Sequence, residues 1–451
     1  MISPDVLVIG AGIAGLRTAV AVAARGARVT VLEARPVLGG RATAFDDPRT
    51  GERVDNGQHV LLGCYDDTFA FLRQIGSEER VRVQPNLEVD FVDARGIRSR
   101  LRLSPMPPPM NFVSGLLDWP ALGWRDRIAA SRLIGPIRLA QAEQKARKQG
   151  QSPTRIAASP GETVQEWLIN NGQTSRIREM LWEPLALAAL NQSVRTAAAP
   201  PFAAVLARMF GDGPRDASLG LPVCPLDELY AEPSRRFIES HGGVVRVGAP
   251  ARIHLRNGHV DYVEARGMRL VAGAIVVAVP WYALSDLFAG DTAPVEGLQK
   301  AAAATQPSPI ASVNLWLDRR VLQTPFLGLP GRVMQWVFDK EQMFESDTSH
   351  LTLVSSGADE VMAFQNEDLI ALALRELREA LPDSRAAKVV RASVVRERRA
   401  TFSLAPGQPK RPETATEVPR LVLAGDWIET GLPATIEGAA ASGRLAADSL
   451  S

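Results

Sequence analysis

Asp5-Val-Leu-Val-Ile-Gly10 is a short continuous apolar run ending in glycine, and the stretch from Ile13 to Arg25 is alanine-rich and helical in pattern. Arg28-Val-Thr-Val-Leu-Glu33 then returns to β-branched residues. Strand, glycine turn, helix and strand in about 30 residues are the opening of a βαβ unit. Each glycine of Gly10-Ala-Gly12-Ile13-Ala14-Gly15 answers a steric demand. Gly10 permits the tight turn, Gly12 lets the backbone approach a pyrophosphate, and Gly15 lets helix and strand pack closely. The helix N-terminus, starting at Ile13 and Ala14, offers free N–H groups to phosphates. Glu33, eighteen residues past Gly15, stands where a carboxylate accepts hydrogen bonds from ribose hydroxyls. A dinucleotide site is therefore expected, against the plainer reading of a glycine turn without ligand. The motif alone does not separate a nicotinamide cofactor from a flavin.

At 451 residues, the chain is long enough for two or three units. Hydrophobic residues at 46% and charged ones at 22% exclude wholesale disorder and a multi-span membrane protein. The 51 basic and 50 acidic side chains nearly cancel, so no global field collects nucleic acid. Cys64 and Cys224 cannot make a disulfide framework or a zinc site, and no metal is expected. Nothing at the N-terminus resembles a secretory signal, and the longest uncharged run, Leu270 to Leu284, is too short to span a bilayer. The expected location is cytoplasmic.

Beyond the βαβ unit, Val81 to Leu103 reads as short strands and is followed by the proline cluster Pro105 to Pro109. Leu116 to Asn191 is mainly helical, punctuated by prolines. Leu226 to Gly242 reads as a helix, with strands at Val244–Val247, Ala251–Leu255, Val260–Ala265 and Ile275–Val279. Gln306 to Phe402 alternates β-rich stretches such as Ile310–Leu317 with an amphipathic helix, Asn366–Leu381. Leu421-Val-Leu-Ala-Gly425 repeats the opening theme of an apolar strand running into glycine, and Ala434 to Leu450 is helical. One nucleotide-binding domain built from residues 1–85, 226–290 and 412–451 is thus expected, interrupted by a second domain made of 86–225 and 291–411.

Glu33-Ala34-Arg35, Gly39-Gly40-Arg41, Ala424-Gly425-Asp426-Trp427 and Ile436-Glu437-Gly438-Ala439 resemble the superfamily of flavin-dependent amine oxidases and carotenoid desaturases. The resemblance implies an α/β fold: an FAD-binding Rossmann-like domain in discontinuous segments, plus a mixed α+β substrate domain with a helical, membrane-facing subdomain. It implies non-covalent FAD, since neither cysteine lies in the C-terminal flavin segment. Gly39, Gly40 and Arg41 would run along the pyrophosphate, Gly425 and Asp426 along the ribityl-phosphate region, and Ala251 would contact adenine. Thr435 and Ile436 would open a helix beside the flavin ring, with Gly57, Gln58 and His59 near it. An amine substrate is disfavoured: Thr435 stands where such oxidases often have tyrosine, and Ile310-Ala-Ser-Val-Asn-Leu-Trp316 lacks the expected lysine.

Asp55-Asn-Gly-Gln-His59-Val-Leu-Leu-Gly-Cys-Tyr65, Leu181-Trp-Glu-Pro-Leu185, Ala189-Leu190-Asn191 and Leu221-Pro222 are similar to the bacterial hydroxysqualene dehydroxylases of hopanoid biosynthesis. The stretch Arg195-Thr-Ala-Ala-Ala-Pro-Pro201 departs from the more aliphatic segment frequent there. The resemblance implies reductive conversion of hydroxysqualene to squalene, a hydrophobic isoprenoid substrate, and association with squalene-pathway synthases. Such chemistry needs a proton for the departing oxygen, a hydride for the carbon and a dry pocket. Asp55 and His59 are the candidate acids, although the plainer reading has His59 holding a loop and Asp55 capping one. Glu183 is a weaker candidate. Pro107 to Phe112, Leu116-Leu117 and Trp119 to Trp124 suggest an interfacial foot at the inner face of the cytoplasmic membrane, because residues 121–150 hold seven basic and two acidic side chains. A helical subdomain burying its own tryptophans is the alternative. A phytoene desaturase, and a non-catalytic prenyl-lipid-binding protein of the same fold, are the rival functions.

Overall fold

A computed structural model of the chain describes residues 4–211 and 213–450. Residues 1–3, 212 and 451, which fall within the expected segments 1–85, 86–225 and 412–451, lie outside the described residues. The apolar runs flanking the first glycine turn form strands Val6–Ile9 and Val29–Leu32 with helix Ile13–Ala24 between them. They belong to a five-stranded parallel sheet in the spatial order Val244–Arg246, Val29–Leu32, Val6–Ile9, Ala274–Val277, Leu421–Leu423. Three distant stretches of sequence thus meet in one sheet. The central strands are apolar on consecutive residues because both sheet faces are covered.

Helix Ile13–Ala24 is buried along nearly its whole length, and Ile436–Asp448 packs across it. Gly443 makes that crossing close. A Cβ there would lie 2.5 Å from the Ala14 carbonyl oxygen, and Thr18 Oγ1 donates to the Gly443 carbonyl at 3.0 Å. The two helices that start on either side of the sheet's glycine-rich rim are therefore locked to one another.

The second large element is a seven-stranded sheet in the order Val389–Phe402, Pro307–Leu317, His350–Ser356, Trp336–Asp339, Phe326–Gly328, Glu88–Val92, Arg98–Arg102. Its faces obey the two-residue period of a strand. Ala311, Val313 and Leu315 pack with Leu369, Ala373 and Leu377 of helix Asn366–Ala380. Ile310, Val354, Trp336, Phe338 and Phe326 turn the other way and join the largest core cluster, with Phe91, Trp119 and Phe402. The edge strand Val389–Phe402 carries five charged side chains, which hid it from sequence reading and suits an edge.

Helices between Met110 and Met209 make a third body. Trp119, Trp167 and Trp182 are its fully buried anchors, and Trp119 Nε1 donates to Ser99 Oγ at 3.2 Å. Trp119, Phe112 and Leu116 of the expected interfacial foot are thus core residues, whereas Met110, Leu117, Trp124 and Ile128 are exposed. At the segment Trp182-Glu183-Pro184 a π-helical stretch, Arg178–Trp182, runs directly into helix Glu183–Leu190. Pro184 in the first turn explains the wider winding, since it has no N–H to give the preceding turn. Strand Leu219–Pro222 pairs with Leu61–Leu62 and Val81–Val83, tying the stretch after the helices to the first segment.

Candidate functional site

Gly10 sits at φ +106°, and a Cβ on it would meet the Ala278 carbonyl oxygen at 2.5 Å. Gly12 differs. A Cβ there would find only the Gly40 Cα, at 3.8 Å, so the backbones of Gly12 and Gly40 face each other across the space above the helix start. No side chain caps that helix at Gly12, leaving the N–H groups around Ile13 and Ala14 to an external acceptor. Tyr230 holds the opposing loop, its hydroxyl set between the carbonyls of Gly39 and Ala42.

Glu33 is buried at the end of its strand. Its Oε2 accepts from Ala11 N–H at 2.8 Å and its Oε1 from Arg35 N–H at 2.9 Å. A carboxylate has about four acceptor positions, so two remain for ribose hydroxyls. Ala34 and Arg35 continue the turn, and Gly248 N–H bonds to the Arg35 carbonyl, placing the segment before Ala251 beside Glu33. Ala251 itself opens strand Ala251–Arg256, in register with Ala265.

Arg41 and Asp426, 385 residues apart in sequence, are joined by a charge-assisted hydrogen bond. The Arg41 guanidinium also donates to the Ala400 carbonyl at 2.8 Å and lies over Trp281. Gly425 N–H bonds to Ser442 Oγ at 2.9 Å, and Trp427 Nε1 to the Val279 carbonyl at 3.0 Å. Thr435 caps the C-terminal helix, its Oγ1 accepting from Gly438 N–H at 3.0 Å. Thr435 N–H is itself taken by the Pro433 carbonyl, so Ile436 and Glu437 supply the open N–H groups at that end. The Glu437 side chain faces away from them. It accepts from the N–H groups of Asp67 and Thr68, from Thr68 Oγ1 and from Arg208, and so caps the neighbouring helix Asp66–Gln74.

The segment Asp55 to His59 crosses the face of the seven-stranded sheet. Asn56 Nδ2 reaches Glu397, whose residue pairs with Ile310, and Trp316 Nε1 donates to Glu52 at 2.7 Å. Gly57 takes φ +85°. Gln58 Oε1 and His59 Nδ1 are buried and have no hydrogen-bond partner among the described residues. Burial holds the His59 imidazole neutral by lowering its pKa; Lys340 and Arg41 push the same way and Asp55 opposes them.

Asp55 is 6% exposed and accepts at both oxygens. Oδ1 takes Leu226 N–H at 3.1 Å, and Oδ2 takes the Lys340 ammonium at 2.7 Å. Lys340 is 3% exposed and lies over the Phe344 ring. Sequence reading missed it. The signal was its rarity: in a chain with six lysines and 45 arginines, one lysine follows the apolar run Trp336-Val-Phe-Asp339. Glu183, the weaker candidate, is half-buried, and burial raises its pKa. Asn191, of the segment Ala189-Leu190-Asn191, is a structural joint: its side chain bonds Ser308, Thr401 and Gly357.

A bare helix start, a two-glycine cradle, a carboxylate with free lone pairs and two unsatisfied polar atoms farther along fit an extended dinucleotide ending beside Gln58 and His59. With a second sheet standing over that end, the arrangement is that of a flavin-dependent oxidoreductase. The family model for flavin containing amine oxidoreductases matches residues 13–451, and the chain belongs to that family. It is 28% identical over 449 residues to the hydroxysqualene dehydroxylase of Sinorhizobium fredii, covering 98% of this chain and 97% of that one. It is 25% identical over 480 residues to the 15-cis-phytoene desaturase of Solanum lycopersicum, covering 99% and 77%. An oxidoreductase from Methanosarcina mazei has the same fold, with a TM-score of 0.74 at 20% identity, covering 98% of this chain and 99% of that one. The cofactor is FAD. Among the described residues no group of histidine, cysteine and carboxylate side chains is placed to hold a metal, and no helix is long and apolar enough to cross a membrane.

Proposed function

We propose that the enzyme replaces the hydroxyl of hydroxysqualene, an allylic alcohol, by hydrogen, releasing water and giving squalene. The observation that carries this reading is the sheet face beneath Asn56 to His59. It presents Phe326, Trp336, Phe338 and Val354 with uncharged Ser312 and Asn314 among them, its carboxylates Glu397 and Glu52 being engaged by Asn56 and Trp316, a surface suited to an isoprenoid alcohol. The full-length similarity to hydroxysqualene dehydroxylases supports it.

Bound FAD, in its reduced form, supplies the hydride. The chain's own residues hold the substrate carbon in place, exclude water and provide a proton for the departing oxygen. Asp55 accepts at both oxygens, so within the proposal it holds the Lys340 side chain in place through their ion pair, and Lys340 is the donor. His59, neutral and with Nδ1 unpaired, orients the ring-proximal end of the site.

Each buried methylene contributes about 0.8 kcal/mol, so a C30 chain stays in lipid until an apolar path is offered. Met106, Met110, Leu117, Trp124 and Ile128 form an exposed apolar set beside basic residues of 121–150, and we assign to it contact with the membrane surface.

Similarity to phytoene desaturase favours the rival reading, in which the hydride runs from substrate to cofactor. Purified enzyme is incubated anaerobically with hydroxysqualene, FAD and dithionite, and separately with phytoene, oxidised FAD and a quinone. Squalene in the first and no desaturated product in the second is expected. The opposite pair of results overturns the proposal.

A further inference from the structure

Asn314 and Ser312 lie two residues apart on strand Pro307–Leu317, so their side chains leave the same face. It is the face opposite to Ala311, Val313 and Leu315, which pack on helix Asn366–Ala380. Both residues are 1% exposed. Asn314 is held in a defined orientation: its Oδ1 accepts from His350 Nε2 at 3.0 Å and from Thr352 Oγ1 at 2.8 Å. His350 is buried, and burial, with the Lys340 charge, pushes its pKa down to about 3, so its ring is neutral; facing the Asn314 oxygen, which can only accept, Nε2 is the nitrogen that carries the proton. With its oxygen turned to these two contacts, the amide points its NH2 end away from them.

That NH2 group has no partner among the described residues, nor does Ser312 Oγ. A buried polar group left unpaired costs about 1–3 kcal/mol, and proteins seldom carry two side by side without a use for them. The neighbours of Ser312 across the sheet are apolar, while Asn314 has Thr352 and Ser393 opposite it. Val354 stands opposite Ser312 on one neighbouring strand and Val395 on the other, with Trp336 opposite Val354 one strand further. The segment carrying the unpaired Gln58 and His59 atoms crosses the same face, anchored at Glu52 near Trp316 and at Asn56 near Ile310.

We propose that Asn314 Nδ2 and Ser312 Oγ form the subsite that binds the hydroxyl oxygen of the substrate alcohol. This rests on the function proposed above and adds the residues that recognise the hydroxyl. An amide N–H donates to the oxygen, and the serine hydroxyl either donates to it or accepts its proton. His350 and Thr352 are positioning residues acting through Asn314. The subsite selects an alcohol over the hydrocarbon of the same length, because only the alcohol satisfies the two buried groups. Product release follows from the same chemistry: squalene leaves them unpaired again.

The test is binding, not turnover. Oxidised holoenzyme is titrated with hydroxysqualene and with squalene, each presented in neutral phosphatidylcholine vesicles, and the perturbation of the flavin absorption band is followed. Wild-type enzyme is expected to prefer the alcohol at least about tenfold, the worth of one satisfied buried hydrogen bond. Asn314→Leu removes the preference while leaving squalene binding intact. Ser312→Ala, which deletes one oxygen and leaves the strand packing unchanged, reduces it severalfold, so the idea stays testable should Asn314→Leu fail to fold. Variants that keep a bound flavin spectrum and the full wild-type preference overturn the subsite alone. Wild-type enzyme that binds alcohol and hydrocarbon equally overturns the subsite together with the dehydroxylase reading.

Discussion

Gly12 is where the demands of fold and cofactor separate. A methyl group there meets ordinary contact distance from Gly40, so Gly12→Ala should fold with an unchanged melting temperature. The same methyl intrudes where the pyrophosphate passes, so FAD affinity should fall at least about tenfold, read by flavin release on dilution. The neighbouring glycines are different: Gly10 and Gly15 have backbone oxygens within 2.5 Å of a Cβ, and substitution there disturbs the fold itself. Asp55 and Lys340 make a second residue-scale case. Asp55→Asn keeps an acceptor for Leu226 N–H but strands a buried ammonium, which costs about 3–5 kcal/mol. A chemical-denaturation series should show that loss, and the Asp55→Leu, Lys340→Met double variant should recover much of it. The glycine turn was legible in sequence because its whole logic lies within 30 residues. Lys340 was not, because its partner is 285 residues away and only the folded sheet brings them together.

Among elements, the crossing of helices Ile13–Ala24 and Ile436–Asp448 sets where two N-termini point. Gly443→Ala puts a methyl 2.5 Å from the Ala14 carbonyl, an overpacking that costs about 1–3 kcal/mol. Thermal melts should show a clear drop for the holoenzyme, with weakened FAD retention because both helix starts are displaced. Most strands and helices could be read from hydrophobic period alone, among them the five strands that form the parallel sheet and the helix Asn366–Ala380. Val389–Phe402 could not, because an edge strand need not alternate and this one is dominated by arginine. Glu437, in the first turn of helix Ile436–Asp448, ties helix Asp66–Gln74 to Arg208. A carboxylate's position in sequence does not say which helix end it will reach.

The molecule as a whole carries a pH dependence that can be worked out in sign. Folded His350 stays neutral down to about pH 3, whereas in the unfolded chain it takes a proton near pH 6.5. Between those values the unfolded state binds more protons, so stability is full above about pH 6.5 and is lost as pH falls below it. His59, lowered by burial, adds in the same direction. Depressed carboxylates such as Asp93 contribute only nearer pH 4, so between pH 6.5 and 5 the histidines dominate. Melting temperature should decline across that window, and less steeply in His350→Gln. On the outer surface, Trp124→Ser with Leu117→Ser should weaken flotation with anionic vesicles roughly tenfold without changing the melting temperature. Burial of Trp119 shows why composition alone could not draw this patch: neighbouring indoles in sequence face opposite ways. The most direct test of the central claim is an anaerobic single turnover, mixing enzyme reduced to the hydroquinone with hydroxysqualene and quantifying both flavin and product. One squalene formed per flavin reoxidised is the predicted result; flavin that stays reduced in the presence of the alcohol would contradict the account.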